Sequence, residues 1–192
     1  MLADTVGQTL LILARNAIAE HLGLPTLAVV LAPELSAPGA TFVTLTQKGK
    51  LRGCIGSLEA YLPLSADVAK NALAAAFSDP RFPPLRAEEL GRTRVEVSLL
   101  TPHEHFTVTS EADALKRLRP GIDGLILTHG QRRATFLPQV WETLPEPQRF
   151  MAQLKVKAGL SATFWDDQIS LARYGVQKWK EAKDAGEKHG ES

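Results

Sequence analysis

Two short strand pairs, each folded about a glycine turn, commit this chain to antiparallel sheet. Thr41 to Thr46 and Lys50 to Ile55 flank Gln47-Lys48-Gly49, while Gly124 to Thr128 and Arg133 to Leu137 flank His129-Gly130-Gln131. Glycine takes the positive φ that a tight turn needs, so both arrangements predict hairpins. Helices are expected around them. Val6, Leu10, Leu13, Ala14, Ala17 and Ile18 recur at helical spacing from Asp4 to His21, with Gly23 and Pro25 as the stop. Leu64 to Ser78 is alanine-rich and helical, Val95, Val97 and Leu99 alternate as a strand, and Ser110 with Asp113 resembles a helix cap. A last helix begins at Pro145 or Pro147 and closes at Gly159. Hairpins mixed irregularly with helices predict an α+β fold, an antiparallel sheet flanked by helices.

The connections are read from proline and charge. Pro25, Pro33 and Pro38 make Leu24 to Ala40 an extended segment, with Leu27, Val29, Val30 and Leu31 expected to lie against the core. Ser78 to Leu85 carries Pro80, Pro83 and Pro84 and has to be irregular. From Lys178 onward Lys, Glu, Asp, Gly and His predict a frayed tail, so the domain is drawn over 1–181 and the tail over 182–192. At 192 residues, 44% hydrophobic, the chain is long enough for one domain or two small lobes sharing a core.

Composition also excludes classes of function. Cys54 is the only cysteine, which rules out an internal disulfide and zinc sites built on cysteine pairs; a reducing cytoplasm is the expected location. Lysine and arginine number 22 against 21 acidic residues, so no overall field gathers DNA or an anionic membrane. The apolar run Leu10 to Leu13 is followed closely by Arg15 and Glu20 and is far short of a span, predicting neither signal peptide nor membrane helix. No glycine-rich phosphate loop, nucleotide fingerprint or Ser-His-Asp order appears, and no cofactor is implied.

Leu51-Arg52-Gly53-Cys54-Ile55-Gly56 is the stretch richest in chemistry. Strand alternation puts Arg52 and Cys54 on one face, about 6.6–6.8 Å apart, with Leu51 and Ile55 on the other. A guanidinium there favours a thiolate, and Gly53 and Gly56 leave room for a ligand or another backbone. The competing reading is a buried structural cysteine in a bulged strand. His103-Glu104-His105 lacks a third metal ligand, and no metal site is assigned. His129, beside Arg132 and Arg133, has the titration range of a general acid or base. Lys48, Lys50, Arg52, Arg81, Arg132 and Arg133 lack the interleaved aromatics of a single-strand binder in a chain only 6% aromatic, which disfavours RNA.

Those residues carry a resemblance. The Leu51 to Gly56 motif, Phe77-Ser78-Asp79-Pro80-Arg81-Phe82, Val97-Ser98-Leu99-Leu100-Thr101-Pro102, Gly124-Leu125-Ile126-Leu127, Arg133 to Trp141 and Leu154 to Leu160 together resemble the AMMECR-one domain family, in prokaryotes also called AmmeMemoRadiSam system protein A. The likeness implies two unequal lobes, the larger built from both chain ends, with a groove between them near the glycine-cysteine motif. It also implies a pathway shared with a Memo-type protein, similar to metal-dependent ring-cleaving dioxygenases, and a radical-SAM protein. Arg52, Gly53, Cys54 and Gly56 fall in the family signature, Asp79, Arg81 and Phe82 in its second loop, and Gln139 and Lys157 in later ones. His103 and His105 stand where related chains have a proline-rich turn, which departs from the family pattern.

The expectation that follows is a small anionic ligand, or a modified amino-acid group, in a groove around Arg52 and Cys54. Arg52 and Arg81 would hold its charge, with Gly53, Gly56, Phe82, Gln139 and Lys157 lining it. Cys54 would be the nucleophile and Asp79 or His129 would move a proton. The alternative is a non-catalytic adaptor presenting the Asp79 to Leu85 loop to the Memo-type or radical-SAM protein.

Overall fold

The computed structural model, which describes residues 1–182, opens with helix α1 (Asp4–His21). Val6, Leu10, Leu11, Ala14 and Ile18 form its buried stripe. Gly23, at φ 69°, then lets the Leu24 N–H turn back to the Ala19 carbonyl at 2.8 Å. Next come β1 (Pro38–Gly39), β2 (Thr41–Gln47), β3 (Lys50–Gly56), β4 (Leu62–Pro63), α2 (Leu64–Phe77), the single turn α3 (Ala87–Leu90) and β5 (Arg94–Leu100). Lys48 and Gly49, at φ 49° and 75°, make the tight turn between β2 and β3. The remaining elements are β6 (Glu104–His105), α4 (Glu111–Arg117), β7 (Gly124–His129), β8 (Arg132–Phe136), α5 (Pro147–Lys157), β9 (Ser170–Tyr174) and β10 (Val176–Lys180). The result is an α+β protein on antiparallel sheets.

Backbone contacts divide the chain into two compact units, Met1–Leu100 with the segment from Gln177 onward, and Thr101–Val176. In the first, the strand order is β10-β5-β2-β3, and β2 pairs antiparallel with both β3 and β5. Val43 and Leu45 of β2, Val95 and Val97 of β5, and the stripes of α1 and α2 make one core. Alanine at 72, 75 and 76 thins α2 so that its backbone approaches the sheet, and a Cβ added to Gly53 would stand 2.1 Å from the Ala75 carbonyl oxygen. In the second unit, β6-β9-β7-β8 backs onto α5 through Phe150, Met151 and Leu154, with Trp141 stacked on Phe150 at 3.7 Å. Ser110 Oγ caps α4 by accepting the Asp113 N–H.

Two expectations fail. Leu27, Val30 and Leu31 are exposed, Val30 at 88%. The segment is extended and pinned to α1 by Asn16, whose side chain bonds both the Leu27 N–H and C=O, so inner positions fall to Leu24, Ala32 and Leu35. Lys178 to Lys180 are ordered rather than frayed, because β10 alternates. Trp179 points inward, with its ring against Gly7 and its Nε1 donating to Asp4, while Lys178 and Lys180 reach Glu96. Just beyond β10, the Glu181 carboxylate binds Arg15 and the Val95 N–H. The rest of the expected tail, 183–192, lies outside the described residues. Among the described residues no helix is long and apolar enough to cross a membrane.

The close approach of α2 to β3 is testable. Gly53→Ala forces a methyl into a backbone carbonyl, and overpacking of this kind costs about 3 kcal/mol. The urea midpoint should fall with the slope unchanged; an unaltered midpoint would show that α2 can retreat.

Candidate functional site around Cys54

Strand β3 is an edge of its sheet, and it carries a bulge. Cys54 stands opposite Thr44 and Gly53 opposite Leu45, yet the next pair is Leu51 with Thr46, leaving Arg52 as the extra residue. Strict alternation is therefore lost. Leu51, not Arg52, takes the pairing position on the side of Thr44 and Thr46 that Cys54 shares, which corrects the expected sharing of a face by Arg52 and Cys54. Gly53 and Ile55 face the helices. Gly56 faces the other way, against the Phe42 ring, where an added Cβ would come within 2.3 Å of it. The two glycines thus serve packing, since the space each leaves is filled by Ala75 or Phe42 and not by room for a ligand.

An edge strand presents unpaired backbone groups. At Cys54 the loop after α2 meets both. The Cys54 N–H donates to Asp79 Oδ2 at 2.9 Å, and the Cys54 carbonyl accepts from Arg81 Nη2 at 3.4 Å. Because these groups point away from β2, Cys54 and Thr44 exchange no backbone bonds, the pairing in which cross-strand side chains come closest. Thr44 Oγ1 lies 3.2 Å from the half-buried Cys54 Sγ.

Asp79 is 4% exposed and accepts from every side: the Cys54 N–H, the Arg81 N–H at 3.1 Å, Arg81 Nε at 3.0 Å and Arg81 Nη2 at 2.7 Å. The Arg81 guanidinium, opposed by burial and seconded by the two backbone N–H groups, holds this carboxyl far below the usual carboxylate range. Asp79 stays ionised at neutral pH, so the proton-moving role expected of it does not fit; it positions the backbone of Cys54 and the guanidinium of Arg81. The side chain of Arg81 remains 54% exposed.

Arg52 has been drawn elsewhere. Its Nε and Nη2 donate to Glu89 at 3.1 and 3.2 Å, and the residue is 9% exposed. Those bonds, opposed by burial and seconded by the Arg86 N–H and Gln47, bring Glu89 down to about 2. Arg52 Nη1 is buried with no hydrogen-bond partner among the described residues. The Phe82 ring connects the two arginines, its centroid 6.0 Å from Arg52 Cζ and 5.5 Å from Arg81 Cζ.

At the other end of α2 lies a buried network that the sequence reading missed. Asp67 Oδ2 accepts from the Thr41 N–H, the Thr41 hydroxyl and Asn71 Nδ2, while Asp67 Oδ1 accepts from Ser57 at 2.6 Å. Asp67 and Asn71, four apart on an alanine-rich helix, were the available signal.

The other expected site residues belong to the second unit. His129 ends β7 rather than occupying the turn, and its Nε2 is 3.0 Å from Asp166 Oδ2, with Phe164 edge-on to the ring. Lys157 Nζ donates to the Thr135 carbonyl beside Phe136, and Gln139 is exposed in a short 3-10 turn. His103 packs on Tyr174, and Glu104 pairs with Arg173. Among the described residues no three His, Cys, Asp or Glu side chains gather as a metal site.

An α+β chain with a bulged edge strand carrying one thiol, its backbone capped by an Asp-Arg loop, is the class of protein defined so far. Comparison with known proteins identifies it further. A family model for AMMECR1 matches residues 11–179, and the chain belongs to that family. It is 41% identical to a protein of Methanothermobacter thermautotrophicus over 91% of this chain and 94% of that one, and 37% identical to proteins of Saccharolobus islandicus over 96% and 86%. The crystal structure of uncharacterized protein PH0010 from Pyrococcus horikoshii is similar at TM-score 0.83 and 33% identity, covering 94% of this chain and 93% of that one.

The two depressed carboxyls set an acid limb of stability. Each contributes fully above its unfolded value, 3.8 for Asp79 and 4.5 for Glu89, and the contribution fades as pH falls toward the folded value. Glu89→Gln should lower stability at pH 7 and flatten the decline between pH 4.5 and about 2, read from urea midpoints across pH. A limb as steep as wild type would mean that Glu89 is not held by Arg52.

Proposed function

We propose that the first unit binds a small carboxylate-bearing molecule, or a modified amino-acid group, beside Cys54, with the N–H groups of Arg81 that Asp79 leaves free as its hydrogen-bond donors and the thiol as the group that reacts with it. The observation that carries this reading is the clamp of Arg81 on buried Asp79, which fixes a half-exposed guanidinium at the Cys54 backbone. A guanidinium held this way has already lost its rotamer freedom and can receive a carboxylate at little further cost. Phe82 offers an apolar wall, and its ring also lies near Arg52, whose buried Nη1 has no partner among the described residues. Arg52 contributes as a buried donor, because Glu89 already neutralises its charge. The thiol would act as the thiolate, the nucleophilic form.

Mass spectrometry of small molecules retained by the native protein from cell extract tests this. Wild type should hold a carboxylate-bearing compound that Arg81→Ala loses by tenfold or more, while Gln8→Ala, at an exposed position of α1, keeps it. Equal retention by wild type and Arg81→Ala would overturn the reading.

The second reading, an adaptor for the Memo-type or radical-SAM protein, is favoured by the exposure of Arg81, Pro83 and Pro84 on one irregular loop. It predicts that Cys54→Ser still captures that partner in a pull-down and that Pro83→Gly with Pro84→Gly does not. Capture of neither protein by wild type would dismiss it.

A further inference from the structure

We propose that Thr44 is a positioning residue for the Cys54 thiol, its hydroxyl donating to Sγ when the sulfur is ionised. The inference rests on the reading of Cys54 as a reacting group. It starts from a row of side chains running across the outward face of the first sheet. Cys54 on β3 stands opposite Thr44 on β2, and Thr44 stands opposite Glu96 on β5. Glu96 in turn lies 3.6 Å from Lys178 Nζ and 3.4 Å from Lys180 Nζ on β10.

That order of chemistry decides where the threonine proton goes. A hydroxyl has one proton to give, and the residue opposite Thr44 on β5 that could accept it is Glu96. The two lysines engage that carboxylate, and the partner recorded for the Thr44 hydroxyl is Cys54 Sγ, at 3.2 Å. Threonine is β-branched and stiff at χ1, so the hydroxyl is held there rather than sampling solvent. The sulfur is held as well, because Asp79 and Arg81 fix the Cys54 backbone from the free edge.

Other charges around the thiol are accounted for. From the loop come Asp79 and Arg81, paired to each other, and from β3 comes Arg52, paired to Glu89. From the outward face come Glu96 with its two lysines and Arg94, opposite Thr46. Helices α1 and α2 pack on the opposite face. Independently of the thiol, the nine-tenths buried Arg52 carries an unpartnered Nη1 two residues away, next to the ring it shares with Arg81. A buried donor without a protein partner is open to a water or a ligand group. The Thr44 bond orients a sulfur whose backbone is held by Arg81, the other arginine on that ring.

The test is the rate of alkylation by iodoacetamide, measured by intact mass from pH 5 to pH 10. In this reaction the thiolate displaces iodide, the C–S bond forming as the C–I bond breaks. Thr44→Val keeps the shape and removes the hydroxyl; Thr44→Ser keeps the hydroxyl. At pH 7 Thr44→Val should react about threefold to tenfold more slowly than wild type, with the rise of its rate displaced to higher pH, as expected for loss of one hydrogen bond to a charged group. Thr44→Ser should follow wild type. The proposal is overturned if Thr44→Val superimposes on wild type, or if Thr44→Ser slows equally, which would assign the effect to packing. Wild-type Cys54 that stays unreactive at every pH overturns both this proposal and the reacting-group reading. A Thr44→Val effect in a protein that retains no small molecule would sink ligand binding alone and leave the role of Thr44 standing.

Discussion

One hydrogen bond organises the neighbourhood of the thiol: the Cys54 N–H donating to the buried carboxylate of Asp79. β3 has no strand beyond it, and an uncovered edge with an exposed thiol would invite pairing with other chains. A carboxylate placed there takes the N–H, and the arginine that neutralises it takes the C=O, so one ion pair stands in for a fifth strand at a single residue. A hydrogen bond to a charged group contributes roughly 1.5–3 kcal/mol, and Asp79 collects several. Removing Arg81 would leave that carboxylate desolvated and uncompensated. The same contact therefore closes the sheet, orients the sulfur toward Thr44 and fixes a guanidinium at the surface.

The arrangement depends on how closely α2 lies against the sheet. A methyl at position 53 would hold the helix away, and the loop that leaves its end would no longer reach Cys54. Small residues on both sides, Gly53 on the strand and Ala75 on the helix, bring the backbones together. The Leu85 N–H bonded to the Ala76 carbonyl then folds the loop back on the helix end. Proline at 80, 83 and 84 supplies stiffness without demanding backbone donors.

Much of this was legible in the sequence, and the failures have physical causes. Helix α1 was readable to its ends because its stripe, Gly23 and Pro25 agree. The first hairpin was readable because Lys48-Gly49 demands a turn with positive φ. The bulge was legible only as the competing reading, since glycine in a strand can mark one, but nothing in a period-two pattern singled out Arg52 as the extra residue, and with that went the predicted partnership of Arg52 and Cys54. β10 was missed because its lysines dominated the composition while Trp179 supplied the inward anchor. Leu27, Val30 and Leu31 looked buried because they are apolar, but an extended strap over one helix has an outer side with nothing upon it. The tuning of Asp79 depends on a partner two residues away and on the Cys54 N–H, against the effect of burial, and only the first of these is visible in a sequence.

Asp67 and Asp79 give α2 a symmetry of purpose that neither shows alone. At its first turn Asp67 accepts the Thr41 N–H at 2.8 Å, and just past its last turn Asp79 accepts the Cys54 N–H at 2.9 Å. Thr41 opens β2 and Cys54 sits late in β3, so the helix grips the hairpin at two separated backbone points, each through a buried carboxylate. Hydrophobic contact fixes how near the helix lies, but it is non-directional and would tolerate sliding. Two directional bonds to opposite strands of one hairpin do not. The helix, the hairpin and the loop are thereby held as one body, and a thiol on such a body keeps its distance to Thr44 and Arg81 whatever moves elsewhere. That rigidity is what a site needs if a single sulfur and a single guanidinium are to meet the same small molecule.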